Sequence, residues 1–96
     1  MMSNEAIAER LKLLRKAVGF PVQSKFAERC GISQTAYNNF ERATRRISLD
    51  EAMKIRRATR VTLDWLYDGD PSGLPLHLAE KIEASADHTT GQQSGS

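Results

Sequence analysis

The chain has few of the residues that catalytic, metal-binding or disulfide sites require. It has a single cysteine, Cys30, so no disulfide can form within the chain. Its two histidines, His77 and His88, lie far along the chain. There is no paired His, Asp or Glu constellation, no metal-ligand spacing and no glycine loop that could hold a phosphate. We therefore expect no enzyme activity, no metal and no cofactor.

Long apolar runs are also missing, and the charges nearly balance. No stretch is apolar enough to cross a membrane, and residues 1–11 lack the basic and apolar regions of a secretory signal. We therefore expect a cytoplasmic protein without membrane contact. The 96 residues, of which 40% are hydrophobic, suffice for one small domain. A net charge of +2 is only a weak indication of nucleic-acid binding.

The segment 23–42 has the pattern of two short helices joined by a tight turn. Phe26 and Cys30 are four residues apart and share one helix face, and Tyr37 and Phe40 are three apart on the second helix. Gly31 stands at the turn, where a positive φ is often required. The pattern predicts a helix-turn-helix whose apolar residues form the core.

The polar residues of the second motif helix stay outside once these core positions are filled. Ser33 can cap the helix, which leaves Gln34, Thr35, Asn38 and Asn39 facing outward. Gln and Asn can bind adenine in bidentate fashion, and Thr can contact a thymine methyl group. The alternative is an ordinary solvated helix face. Because the centre of this face has no Glu or Lys, base recognition in DNA is favoured over a solvated face.

The basic residues are unevenly distributed. Arg42, Arg45 and Arg46 follow the second motif helix, in a loop that would lie beside the DNA backbone if that helix entered the major groove. A second group lies on a later helix, and we interpret it mainly as a solvated face. Its members are Lys54, Arg56, Arg57 and Arg60.

The residues before the motif predict a helix over 5–18. Ser3 or Asn4 can cap its start, and Gly19 ends it. Its apolar stripe consists of Ile7, Leu11, Leu14 and Val18.

Two helices are predicted after the motif. Ser48 and Glu51 form a capping-box pattern in front of a helix over 49–59. Its expected inward-facing residues are Leu49, Ala52, Met53 and the stem of Arg56. Thr62 opens a short helix over 63–67. The residues expected in the core here are Val61, Leu63 and Leu66.

The C-terminal part reads as an extension of this domain. The segment 74–82 is amphipathic, with Leu78 and Ile82 on one face, but it is too short to be stable alone. It must pack either on the domain or on another chain, and the sequence leaves both open. From Ser85 the polar, Gly/Ser-rich composition predicts disorder. The predicted division is a DNA-binding domain over 5–69, an extension over 70–84 and a disordered tail over 85–96.

Five stretches in series now identify a resemblance. They are IAERLKLLR, QSKFAERCGIS, TAYNNFERATRR, SLDEAMKI and VTLDWLYDG. In this order and spacing, residues 7–69 resemble the Cro/CI-type (XRE) helix-turn-helix regulators, whose fold is lambda-repressor-like. The resemblance implies a compact five-helix, all-α domain that usually binds operator DNA as a dimer.

The resemblance also implies roles for single residues. It assigns Gln34, Thr35 and Asn39 to base edges in the major groove. It assigns Gln23 to a phosphate and to support of the next side chain. Further contacts with the DNA backbone fall at Asn38, Arg42, Thr44 and Arg46.

Other positions are structural or depart from the family pattern. Arg15 and Glu41 match positions that form an internal ion pair between the first and third helices. Ala43 and Arg60 stand where relatives commonly have glycine, so both spots can require a positive φ that is strained for other residues. The connection 19–22 is one residue longer than usual, which could shift the first motif helix relative to DNA.

The resulting expectation is a sequence-specific DNA-binding transcriptional regulator, a repressor, that reads the major groove with a helix over 33–42. Its partners would be a double-stranded operator and a second copy of the chain, with the fifth helix and Leu74–Ile82 as the dimer surface. The alternative is an antitoxin-like or adaptor protein that acts mainly by binding another protein. Co-purification of a partner through residues 70–84 would favour that alternative.

Overall fold

A computed structural model describes residues 3–95 of the chain, with side chains described for residues 3–86. Regular structure within residues 3–95 is entirely helical, which confirms the predicted all-α fold class. No helix in the described part is long and apolar enough to span a bilayer. The helices are α1 (Asn4–Ala17), α2 (Gln23–Cys30), α3 (Gln34–Glu41), α4 (Leu49–Thr59), α5 (Leu63–Asp68) and α6 (Leu76–Gly95).

Helix α1 is the element on which much of the domain packs, because it contacts α3, α5 and α6. Ser3 caps it, with the Oγ accepting a hydrogen bond from the Ala6 amide at 3.1 Å. The predicted stripe supplies the core contacts, since Ile7, Leu11 and Leu14 are buried. Val18 is half-buried at the end of the helix.

Helices α2 and α3 form the predicted helix-turn-helix. Gly31 follows α2 with a φ of 76°, which confirms the expected left-handed conformation. The side chains that join the two helices are aromatic. The ring centroids of Phe26 and Tyr37 lie 5.4 Å apart, and those of Tyr37 and Phe40 lie 6.4 Å apart. These edge-to-face contacts fix which face of α3 turns inward.

Helix α4 begins with the predicted capping box, but its inward face differs from the prediction. Ser48 Oγ accepts from the Glu51 amide, and the Glu51 carboxylate accepts from the Ser48 amide at 3.0 Å. Ala52 and Ile55 are fully buried, whereas Leu49 is 61% exposed and Arg56 is also exposed. At about 100° per residue, Leu49 and Arg56 lie roughly 100–120° around the helix from Ile55. The expectation that they face inward is therefore wrong.

Helix α5 starts at the expected cap, with Thr62 Oγ1 accepting from the Trp65 amide at 3.1 Å. Val61 and Leu66 are fully buried as predicted, and Leu63 is partly buried against the core. Trp65 is buried as well, and the sequence analysis did not place it in the core.

Helix α6 packs on the domain, mainly against α1. Leu78 and Ile82 are buried in the common core, so their shared face is covered within one chain. The helix runs to Gly95, and residues 85–95, assigned above to a disordered tail, are helical in the structure. No proline interrupts the chain after Pro75, so no missing backbone donor stops the helix there. Ser96 lies outside the described residues, and the division at residues 69 and 84 stays a prediction.

Within residues 3–95, two residues other than glycine have positive φ angles. Ala43 has a φ of 63° and Arg60 a φ of 69°. The resemblance identified these two positions as places where glycine is common, and the structure confirms that both require the left-handed conformation. Each costs the fold roughly 1 kcal/mol.

Candidate nucleic-acid interface

The outer face of α3 carries the residues predicted to read bases. Ser33 caps the helix, with its Oγ accepting from the Ala36 amide at 3.2 Å. Gln34 and Thr35 are exposed in the first turn, and Asn38 and Asn39 are half-buried one turn later. Because the aromatic residues of α3 are buried, this polar face is the part of the helix that a ligand can reach.

Asn39 is held by the loop that follows α3. The Thr44 amide donates to the Asn39 carbonyl oxygen at 3.0 Å. The Thr44 hydroxyl lies 3.2 Å from that oxygen and 3.3 Å from Asn39 Oδ1, and donates to this pair of acceptors. The Asn39 side-chain carbonyl is therefore oriented toward the loop, and its amide group stays free to donate. Oδ1 has a second lone pair, so it can still accept from a base.

The arginines behind α3 do not share one environment. Arg45 is drawn back onto the domain, since its Nη2 lies 3.7 Å from Glu51 Oε2 and its guanidinium lies 5.6 Å from the Phe40 ring centroid. Arg42 and Arg46 are exposed. Arg46 also lies close enough to Tyr67 to lower the pKa of that phenol, against a larger rise caused by burial. The loop thus presents positive charge at the exposed Arg42, whereas Arg45 and Arg46 both interact with other groups of the domain.

A buried ion pair joins α1 to the end of α3. Arg15 Nε donates to Glu41 Oε2 at 2.8 Å and Arg15 Nη2 to Glu41 Oε1 at 3.2 Å. Arg15 is 8% exposed and Glu41 is 5% exposed. The two residues that the resemblance pairs are therefore in contact. Arg15 Nη1 also donates to the carbonyl oxygens of Phe20 and Pro21, at 3.0 and 2.7 Å.

Gln23 belongs to the same network, because its Nε2 donates to Glu41 Oε1 at 3.0 Å. The resemblance implies contacts of Gln23 with a phosphate and with the next side chain, and this internal hydrogen bond is an additional one. One N–H of the amide is used in this way, while the side chain remains half-buried at the start of α2. The pairing of a Gln with a buried carboxylate 18 residues away leaves no local pattern in the sequence.

The network sets the protonation of its members. Burial alone would raise the pKa of Glu41, but the hydrogen bonds from Arg15 and Gln23, with the Tyr37 hydroxyl nearby, outweigh burial and leave the pKa below its ordinary value. The hydrogen bond with Glu41 raises the pKa of Arg15. Burial raises the pKa of the Tyr37 phenol, whose hydroxyl is enclosed beside Glu41. At neutral pH the pair is therefore fully ionised.

The remaining chemistry of the described residues is limited. Cys30 is buried, and burial raises the pKa of its thiol to about 11, so it is a weak nucleophile. No group of three or more His, Cys, Asp or Glu side chains within residues 3–86 is placed to hold a metal ion. The arrangement presents polar and cationic donors on one helix and its following loop, which suits the recognition of a nucleic acid.

Comparison with known proteins supports this description. A helix-turn-helix family model of the Cro/CI (XRE) type matches residues 11–66, which span α1 from its middle through most of α5. No curated protein and no solved structure matches the chain.

Proposed function

The chain belongs to the helix-turn-helix family of Cro/CI-type DNA-binding regulators, and we propose that it is a sequence-specific transcriptional repressor acting in the cytoplasm. In this proposal α3 lies in the major groove of an operator. Gln34 and Thr35 contact bases from its first turn, and Asn39 contacts a base one turn later.

The observation that carries the proposal is the bracing of Asn39 by Thr44. The Thr44 hydroxyl lies 3.3 Å from Asn39 Oδ1, which restrains the side chain before any base is bound. Holding the side chain lowers the entropy that is lost when a base is bound in bidentate fashion. Gln34 and Thr35 are exposed in the first turn of α3, and the helix itself is enough to position them.

The phosphate contacts proposed here surround that face. Arg42 is exposed and reaches the DNA backbone directly, whereas Arg45 must first leave Glu51, so we assign Arg45 a weaker contribution than Arg42. Gln23 can donate its second amide N–H to a phosphate while the first stays on Glu41. The full proposed set is Gln23, Asn38, Arg42, Thr44, Arg45 and Arg46, of which Thr44 must turn its hydroxyl away from Asn39 before it can donate to a phosphate.

A single domain reads few base pairs, so useful specificity requires a homodimer on half-sites about 34–36 Å apart. Since Leu78 and Ile82 are already buried on α1, the proposed dimer surface is the outer side of α5 with Leu76. Leu76 is 75% exposed, and its burial in an interface would stabilise the dimer.

The test is selection from a randomised duplex library, with sequencing of the bound fraction at low and at physiological salt. We expect an enriched, two-fold symmetric motif at both salt concentrations. Salt-sensitive binding without enrichment would contradict base reading by α3. The absence of binding, together with a co-purifying protein partner, would favour the adaptor or antitoxin-like alternative.

A further inference from the structure

A small cavity lies on a part of the domain that the DNA-binding proposal does not use. Its walls come from the C-terminal ends of α1 and α4 and from the beginning of α6, and its volume is about 210 Å³. No lining residue belongs to α2 or α3. The cavity is smaller than the roughly 300 Å³ at which pockets for drug-sized ligands begin, so it suits a small molecule.

The cavity is apolar inside and cationic at its rim. Leu78 is buried, and Val18 and Pro75 are half-buried beside it. Arg60 and Lys81 stand exposed at the edge, and the part of the chain with described side chains gives neither of them an ion pair. No acidic residue lines the cavity. An apolar floor below two cations is complementary to an amphipathic anion.

Arg60 is an unexpected residue for its backbone conformation. Its φ of 69° and ψ of 14° are relaxed for glycine and strained for arginine. Strained residues concentrate at functional sites, where the side chain is needed despite its cost to folding. Arg60 also borders a neighbouring cleft of about 360 Å³, which contains Arg56 and Arg57. Its guanidinium therefore belongs to both the apolar cavity and a wider cationic region.

We propose that this cavity binds a small organic carboxylate with a compact apolar body. The apolar body lies against Val18, Pro75 and Leu78, and the carboxylate is bound by the Arg60 guanidinium with Lys81 beside it. The N-terminal end of α6, which forms part of the wall, adds a favourable field for an anion. Because three helices share the site, a bound ligand holds α6 against α1 and α4. This proposal does not depend on the proposed DNA-binding role.

The test is a titration of the ¹⁵N-labelled full chain, followed residue by residue by NMR. The probes are octanoate and phenylacetate, with octanamide as the uncharged counterpart and inorganic phosphate as an anion without an apolar body. We expect saturable shifts around Val18, Arg60 and Leu78 with at least one carboxylate at millimolar concentrations. Octanamide should bind about tenfold more weakly than octanoate, because it lacks the charge-assisted hydrogen bond.

Two matched variants separate binding from folding. Arg60→Gly removes the cation and relieves the strained φ, so it should be at least as thermostable as wild type and yet bind the carboxylate about tenfold more weakly. Ala43→Gly relieves the same kind of strain at the other positive-φ position, away from the cavity, and should bind like wild type.

Several results would overturn the proposal. The proposal is wrong if neither carboxylate gives a saturable shift, or if the shifts are confined to another surface. It is also wrong if octanamide and octanoate bind with equal affinity, or if Arg60→Gly binds the carboxylate as tightly as wild type. Phosphate alone reproducing the same shifts would show a general anion site in the arginine cleft, and that would also reject the amphipathic ligand.

Discussion

Replacing Arg15 by methionine should strongly destabilise the domain, because it breaks a buried ion pair from one side. Methionine keeps much of the length of the side chain but removes the guanidinium. Glu41, 5% exposed, would then be a buried carboxylate whose strongest partner is gone. The carbonyl oxygens of Phe20 and Pro21 would each lose a donor as well. We expect a loss of about 3–5 kcal/mol in the free energy of unfolding at neutral pH.

The assay is urea unfolding followed through the fluorescence of Trp65, the only tryptophan and a buried one. Since a small domain has about 5–15 kcal/mol in total, the single variant can be partly unfolded without denaturant. The double variant Arg15→Met/Glu41→Gln removes both charges and supplies the control. It should be more stable than Arg15→Met alone by about 1–3 kcal/mol.

The pH dependence gives an independent check. In wild type the pKa of Glu41 is held below 4.5, so the stabilisation from the ionised pair is complete above pH 4.5 and is lost as the pH falls through the lowered pKa. In Arg15→Met the main lowering influence is gone and burial raises the pKa of Glu41 above its ordinary value, so protonation relieves the penalty as the pH falls through that raised pKa. The difference in the free energy of unfolding between the two proteins should therefore narrow as the pH falls from neutral, and narrow further below pH 4.5, where wild type loses its own stabilisation. A loss under about 1 kcal/mol, or one that widens in acid, would refute this reasoning.

Three further changes test other parts of the molecule. Asn39→Ala should cost about 1–3 kcal/mol on the selected operator and relax base preference at one position, measured by competition between operator variants. Arg42→Ala should weaken specific and random duplexes alike and reduce the slope of log K against log salt by nearly one, measured by fluorescence anisotropy; a loss restricted to the operator would contradict a phosphate role. Ala43→Gly should raise the free energy of unfolding by about 0.5–1 kcal/mol, because relief of the positive φ exceeds the added entropy of the unfolded chain.

The elements of the fold could be predicted because their signals are local. A cap, a stripe and a terminating glycine each act within a few residues, and the caps at Ser33, Ser48 and Thr62 are all formed as predicted. The positive φ at Ala43 could be predicted only through the resemblance, since nothing in the local sequence marks an alanine for that conformation.

The errors concern where one element meets another. A helix can turn several neighbouring faces inward, and the position of α4 against its neighbours buries Ile55 beside the predicted Ala52 and leaves Leu49 exposed. Similarly, the sequence left open which surface covers Leu78, and contact with α1 decides it. The tether of Arg45 by Glu51 was missed because Glu51 had already been assigned to the cap, whereas its carboxylate serves both purposes.

One buried residue anchors the connection between α1 and α2. Arg15 binds the carbonyl oxygens of Phe20 and Pro21 with the same guanidinium that holds Glu41. The connection is thereby fixed to the end of α3, and Gln23 comes within 3.0 Å of Glu41. If this anchoring is what keeps Gln23 in place for a phosphate, Glu41→Gln should preserve base preference at α3 while weakening binding to operator and random DNA equally, whereas a change of base preference would mean that the network positions α3 itself.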